Sequence, residues 1–68
     1  MSLSKAAAQL LRWSQSGGNN INDLGLPVPA LIRAAKELEK AGLSSEIMDS
    51  DDGIEGVVLT AAGEAYKV

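Results

Sequence analysis

The chain of 68 residues contains no cysteine, no histidine and no phenylalanine, and it has one tryptophan and one tyrosine. Without cysteine it can form neither a disulfide framework nor a thiolate metal site. Because the usual thiol nucleophile and the usual general base are both missing, we expect no enzymatic activity and no catalytic residues. With so few aromatic side chains, the core must be built from aliphatic residues.

Long apolar runs are also missing. No stretch approaches the roughly 20 residues that span a bilayer, and no apolar segment with a cleavage pattern opens the chain. We therefore expect a cytoplasmic protein without a membrane partner. An apolar content of 46% with 7 glycines and 2 prolines is typical of a globular protein. The length predicts one domain over residues 1–68, of small overall stability.

Positive charge is scarce in this small acidic protein. The net charge is −3, from 6 basic and 9 acidic residues, which is unusual for a protein that binds nucleic acid. Four of the nine acids lie within seven residues, at Asp49, Asp51, Asp52 and Glu55. The remainder of the chain is close to neutral, so the acidity is confined to one segment.

The clearest local pattern covers residues 29–43, PALIRAAKELEKAGL. Its apolar residues follow the spacing of one helix face, at Leu31, Ala34, Ala35, Leu38 and Ala41. Pro29 suits the first helical turn and favours an extended Val28 as the N-cap. At the other end, Gly42 can adopt the left-handed conformation that stops a helix, and Leu43 can fold back onto the last turn.

Two shorter helical segments precede this helix. Ser2 or Ser4 can cap a first helix that runs to about Gln15. We expect the Gln15 side chain to face solvent. Asn20 or Asn22 can cap a single helical turn that Gly25 ends. The residues predicted to pack together in the core are Leu10, Leu11, Trp13, Leu24, Leu31, Leu38, Ile47, Val57 and Leu59.

Two predicted strands, 44–50 and 54–59, flank a turn. A two-residue turn would pair Ile47 with Val58. A three-residue loop over 51–53, with a left-handed Gly53, would pair Ile47 with Val57 and Ser45 with Leu59. We favour the second register because it places the apolar residues of both strands on one inward face.

Two short motifs occur in order on either side of this hairpin: LEKAGL at 38–43 and LTAAG at 59–63. They resemble the L-E-x-x-G-L and L-T-x-x-G motifs of the MarR-type transcription regulators and, more broadly, small archaeal and phage winged-helix proteins. The resemblance covers about residues 6–66. It implies an α+β winged helix-turn-helix with three helices, a two-stranded β-hairpin wing and a short C-terminal helix, 61–66, capped by Thr60. It also implies double-stranded DNA as the partner and no cofactor.

The sequence departs from the family's pattern at three places. The second helix is about one turn shorter, and the dimerisation helices of the family are missing. The tip of the wing is acidic, whereas the family usually places a basic residue there to enter the minor groove. We therefore expect the domain to act as a homodimer or beside a protein partner, since one unit contacts few base pairs.

The resemblance implies that the helix at 29–41 places its outward side chains in the major groove. Among these side chains, Arg33, Lys36 and Lys40 form a basic stripe that can donate to guanine or phosphate. The alternative is an ordinary solvated face supported by Arg33–Glu37 and Lys36–Glu39 pairs. The candidate DNA-binding residues are Pro29, Ile32, Arg33, Lys36 and Lys40.

The apolar start of that helix and the acidic turn favour a second interpretation. Val28, Pro29 and Ile32 could touch thymine methyl groups, could contact a protein, or could simply start the helix with Ile32 partly covered. The acidic turn lacks the glycine and glutamate spacing of an EF-hand, so no metal site is predicted. It is either a solvated turn that protects the hairpin edge or a surface that attracts a basic partner. A protein-interaction module without DNA binding would use Val28, Ile32, Asp51 and Asp52.

Overall fold

Residues 3–51 and 53–68 are described by the computed structural model of the protein. They form an α+β fold in which three α-helices and a short 3₁₀ helix surround one antiparallel hairpin. In chain order the elements are α1 (Lys5–Gln15), the 3₁₀ helix (Ile21–Leu24), α2 (Val28–Lys40), β1 (Ser44–Ser50), β2 (Gly53–Leu59) and α3 (Ala61–Ala65). The α+β class predicted from the sequence is therefore confirmed.

Side-chain caps fix the starts of α1 and of the 3₁₀ helix. The Ser4 hydroxyl accepts a hydrogen bond from the Ala7 amide at 3.2 Å, so Ser4 is the cap of α1; the alternative cap, Ser2, lies outside the described residues. Asn20, rather than Asn22, caps the 3₁₀ helix, because its side-chain oxygen accepts from the Asn22 amide at 3.0 Å. Each cap satisfies an amide that the helix itself leaves unpaired.

The start of α2 lies one residue earlier than predicted. Val28 is the first helical residue and Pro27 is the N-cap, with φ −67° and ψ 155°. The expectation of an extended Val28 was therefore wrong, although a residue before proline usually avoids the helical region. The Leu31 amide donates to the Pro27 carbonyl at 3.0 Å. This bond closes the first turn around Val28 and outweighs the local preference.

Gly42 and Leu43 end α2 in the predicted way, although the last helical residue is Lys40 rather than Ala41. Gly42 has φ +78°, in the left-handed region, and its amide donates to the Glu39 carbonyl at 3.1 Å. The Leu43 amide folds back to donate to the Leu38 carbonyl at 2.9 Å. These two bonds form a Schellman motif, which satisfies the last carbonyls of the helix. Leu43 is buried by the reversal, with 6% of its surface exposed.

The hairpin pairs Ile47 with Val57, as the favoured register requires, but the register shifts at both ends. Leu59 pairs with Ser44 and not with Ser45, because Ser45 is an extra, unpaired residue in β1. The Ser44 hydroxyl bridges this bulge by donating to the Glu46 carbonyl at 3.0 Å. The prediction of a Ser45–Leu59 pair was therefore wrong by one residue.

A second bulge, at Glu55, alters the tip of the hairpin. Ile54 pairs with Asp49, and Gly53 pairs with Ser50 with φ +145°. The connection between paired residues is thus one residue shorter than the predicted loop over 51–53. Because side chains alternate along a strand, the extra residue at Glu55 allows both Ile54 and Val57 to contact the core. The sequence prediction of the core had omitted Ile54.

The core is aliphatic and is centred between α1 and α2. All nine residues that the sequence predicted to pack together belong to it, some fully buried and others partly buried at its margin. Three alanines of the two helices, Ala7, Ala34 and Ala35, are buried together with the leucines, and their small side chains allow close approach. The fully or nearly fully buried members are Ala7, Leu10, Leu11, Leu31, Ala34, Ala35, Leu38, Leu43 and Ile54.

Thr60 joins the end of the hairpin to the end of α2. Its amide donates to the Leu43 carbonyl at 3.1 Å, and its hydroxyl donates to the Gly42 carbonyl at 2.8 Å. The same hydroxyl oxygen caps α3 by accepting from the Gly63 amide at 3.0 Å. Gly63 lies so close to the Leu43 carbonyl oxygen that a Cβ at position 63 would overlap it. The two sequence motifs at 38–43 and 59–63 are therefore in direct contact.

The single tryptophan fills the space between the first loop and the hairpin. A Cβ added at Gly18 would lie 2.8 Å from the Trp13 ring, and one added at Gly56 would lie 3.5 Å from it. The ring therefore packs closely over Gly18 and at ordinary van der Waals distance from Gly56. Gly18 also has φ +38°, so both its left-handed backbone and the adjacent Trp13 ring require glycine at position 18.

We expect Leu38→Ala to destabilise the domain by about 2–5 kcal/mol, because it leaves a cavity at a fully buried position of α2. A loss of that size is a large part of the total stability of so short a chain. Thermal denaturation followed by circular dichroism measures it. Lys36→Ala, on the exposed face of the same helix, is the control and should change stability by less than about 0.5 kcal/mol.

We expect Gly63→Ala to cost about 1–3 kcal/mol or more, because the new methyl group displaces the Leu43 carbonyl. Gly56→Ala is the matched control: Gly56 is also buried, but a Cβ there meets its nearest neighbour at 3.5 Å. Urea denaturation of the two variants should show a loss for Gly63→Ala only. Equal stability of the two would contradict the close contact between α3 and Leu43.

Candidate functional site

One face of α2 points away from the core and is fully available to solvent. Leu31, Ala34, Ala35 and Leu38 are buried, whereas Pro29, Arg33, Lys36 and Lys40 are all exposed. At about 100° per residue, these four exposed positions fall within a sector of about 60° that lies opposite the buried ones. We call this surface, Pro29, Arg33, Lys36 and Lys40, the basic face of α2.

The basic face carries three of the six cationic residues of the chain. Arg33 and Lys40 are seven residues apart, which places them about 10 Å from each other along the helix axis. No acidic residue lies within the sector itself, because Glu37 and Glu39 fall on its two opposite flanks. The periodicity of the sequence predicted this grouping, and the structure places the three cations together as predicted.

Glu37 is turned away from the basic face. One of its carboxylate oxygens accepts from the Ser4 amide at 2.8 Å, and the other accepts from the Ser4 hydroxyl at 2.8 Å. The alternative of a solvated face had paired Glu37 with Arg33, but the Glu37 carboxylate is held instead by Ser4 at the N-terminus of α1. Two charge-assisted hydrogen bonds hold a carboxylate better than one exposed ion pair.

The apolar residues at the start of α2 have different surroundings. Val28 is 41% exposed, but its side chain also packs against Gly53, where an added Cβ would lie 2.8 Å from Val28 Cγ1. Ile32 is half-buried and packs against the core. Of the predicted partner-binding residues, Val28 is thus available in part, and Ile32 contributes to packing more than to an open surface.

The acidic end of the hairpin lies beside the start of α2, because Gly53 contacts Val28. Asp49, Asp51 and Glu55 are all exposed there; Asp52, the fourth predicted acid, lies outside the described residues. This arrangement places negative charge near the helix N-terminus, whose partial positive charge attracts anions.

An open cleft of about 550 Å³ separates the 3₁₀ helix from the hairpin at this end of the molecule. Its floor is apolar and its rim carries amide, hydroxyl and carboxylate groups. The lining residues are Asn19, Asn20, Ile21, Asn22, Val28, Leu31, Ser50, Ile54 and Glu55. The cleft joins the exposed part of Val28 to the acidic end of the hairpin through Glu55.

Among residues 3–51 and 53–68, no three His, Cys, Asp or Glu side chains come together as a metal site requires. Within the same residues, no helix has both the length and the apolar character needed to cross a membrane. The basic face and the acidic hairpin end are therefore the surfaces from which a function can be argued.

Sequence reasoning missed the polar contacts that fix α1 relative to the remaining elements. Gln15 is exposed as expected, and its amide group also donates to the Gly63 carbonyl at 2.8 Å and to the Tyr66 carbonyl at 2.7 Å. Ser4 was recognised as a cap but not as the partner of Glu37. These contacts join residues 33 to 51 positions apart, and no local sequence pattern signals them.

No family model matches the chain, and neither a curated protein nor a solved structure matches it. The geometry of α2 and of the hairpin therefore carries the functional conclusion alone.

Proposed function

We propose that the chain is a winged helix-turn-helix domain that binds double-stranded DNA and acts as a small transcription regulator. In this proposal the 3₁₀ helix and α2 would form the helix-turn-helix, and the hairpin of β1 and β2 would be the wing. The order of elements supports it, with α1, a short helix, α2, the hairpin and α3 following one another as in that fold. Because a fold alone is a weak argument for function, the proposal depends on the surface of α2.

The basic face is the observation that carries the proposal. An α-helix fits the major groove of B-DNA, and α2 presents three cations on an exposed sector opposite its buried face. Arg33, at the middle of the helix, is placed to donate to guanine or to phosphate, and Lys36 and Lys40 extend the contact along the backbone. Pro29 and the exposed edge of Ile32 lie at the start of the helix, where apolar groups can meet thymine methyl groups.

The negative net charge limits how the domain can bind. With three cations on the basic face, few phosphates are neutralised, and the acidic end of the hairpin repels the backbone. A single domain would therefore bind duplex weakly. We propose that a second copy or a protein partner supplies further contacts, as is usual for helix-turn-helix proteins that bind two half-sites.

We expect Arg33→Ala to weaken binding to a mixed-sequence duplex and to reduce the slope of log affinity against log salt by about 0.9, because one phosphate is no longer neutralised. Fluorescence anisotropy at low salt measures both quantities. Lys5→Ala, an exposed cation on α1, is the control and should leave the slope unchanged. Failure of the parent protein to bind duplex at tens of micromolar would count against the regulator.

A second candidate function, a protein-interaction module without DNA binding, is favoured by one observation. Val28 remains 41% exposed at the edge of an open cleft whose rim reaches the acidic end of the hairpin. An apolar contact beside a cluster of acids fits a basic, partly apolar segment of a partner. In this function Val28, Ile32, Asp51 and Asp52 would be the contact residues, and the basic face would be an ordinary solvated surface.

The double substitution Asp51→Asn and Asp52→Asn separates the two functions, because asparagine preserves the chemistry of the turn and removes only its charge. If the domain binds DNA, we expect the variant to bind duplex more tightly, since the repulsion of the backbone is reduced. If it binds a basic partner, we expect a slower association that added salt reproduces in the parent protein. Anisotropy with duplex and pull-down of partners by parent and variant distinguish these outcomes.

A further inference from the structure

We propose that Ser4 is a positioning residue for the basic face of α2: it holds the Glu37 carboxylate against the N-terminus of α1 and so prevents that carboxylate from neutralising Arg33. This inference rests on the proposed DNA-binding function, and it adds a residue on a different helix to the determinants of that function. Ser4 is exposed, is remote from α2 in sequence, and carries no charge of its own.

Ser4 forms hydrogen bonds both with Glu37 of α2 and with the first turn of α1. Its amide and its hydroxyl donate to the two different oxygens of Glu37, each at 2.8 Å. The same hydroxyl oxygen accepts from the Ala7 amide at 3.2 Å, which is the cap of α1. A single hydroxyl therefore starts α1 and orients a carboxylate of α2. The carboxylate also lies at a helix N-terminus, where the helix dipole favours a negative charge.

Release of Glu37 would bring it into competition with DNA. On α2, Arg33 lies four residues before Glu37 and Lys40 lies three residues after it, and both spacings allow side chains on a helix to pair. A carboxylate paired with Arg33 would neutralise the central cation of the basic face and repel an approaching phosphate. The two hydrogen bonds from Ser4 thus keep the Glu37 carboxylate from weakening the positive field of the basic face.

Ser4→Asp tests this inference, because aspartate is as good an N-cap as serine but places a carboxylate next to Glu37. The two carboxylates repel each other, so Glu37 turns toward Arg33. Gln9→Glu is the charge-matched control, since Gln9 is also exposed on α1 and the change adds the same single negative charge. The variant Ser4→Asp in a Glu37→Gln background has the net charge of the parent protein and contains no carboxylate at position 37.

We expect Ser4→Asp to reduce the salt slope of duplex binding by about 0.9, as if one phosphate contact were lost. Gln9→Glu should leave the slope unchanged, and the Glu37→Gln background should restore it. A merely structural role for Ser4 would not alter the slope in this pattern. A slope of Ser4→Asp equal to that of the parent, or a loss that persists in the Glu37→Gln background, would overturn the inference.

A second measurement separates this inference from the proposed function. Nuclear magnetic resonance of the Arg33 side-chain Nε–H, without DNA, should show a changed resonance in Ser4→Asp that returns to the parent value in the double variant. If the parent protein binds no duplex, the regulator proposal fails, while this resonance still reports whether Ser4 withholds Glu37 from Arg33. An unchanged Arg33 resonance in Ser4→Asp would overturn the inference even if DNA binding is observed.

Discussion

The hydrogen bonds of Thr60 to the carbonyls of Gly42 and Leu43 are the contact on which the arrangement of the other elements depends. They lie where three segments meet: the end of α2, the end of β2 and the start of α3. Because α2 ends at Lys40, the two carbonyls that accept from Thr60 belong to the chain reversal that follows the helix. The Schellman hydrogen bonds satisfy carbonyls of the helix itself. The open end of the hairpin is thereby fixed to the end of α2, and its closed end lies beside the start of the same helix.

This arrangement leaves α2 constrained on one side only. The core, α1 and the hairpin cover its apolar face, while the four residues of the basic face on the opposite side are exposed. Val28 contacts Gly53 at the first turn of the helix, and Leu43 reverses the chain at the last. A helix held at both ends with one exposed face is a rigid support for the three cations of the basic face.

The sequence predicts what depends on neighbouring residues, and it fails where distant segments meet. Helix periodicity identified the buried and exposed faces of α2, and Gly42 marked its end. The central hairpin pair, Ile47 with Val57, follows from alternation. The two bulges and the helical Val28 could not be predicted, because packing decides them against local preference. Likewise, the basic face was predictable as a pattern, but the removal of Glu37 from it depends on a residue 33 positions away.

The packing of Trp13 over Gly18 and Gly56 makes the only tryptophan of the chain an internal reporter of folding. Its ring belongs to α1 and lies against the first loop and against β2, so it keeps its surroundings only while all three segments are together. Its fluorescence therefore changes when any one of them separates, and it needs no added label. Since the ring lies on α1 and the basic face lies on α2, the same signal distinguishes a loss of folding from an event on the exposed surface of α2.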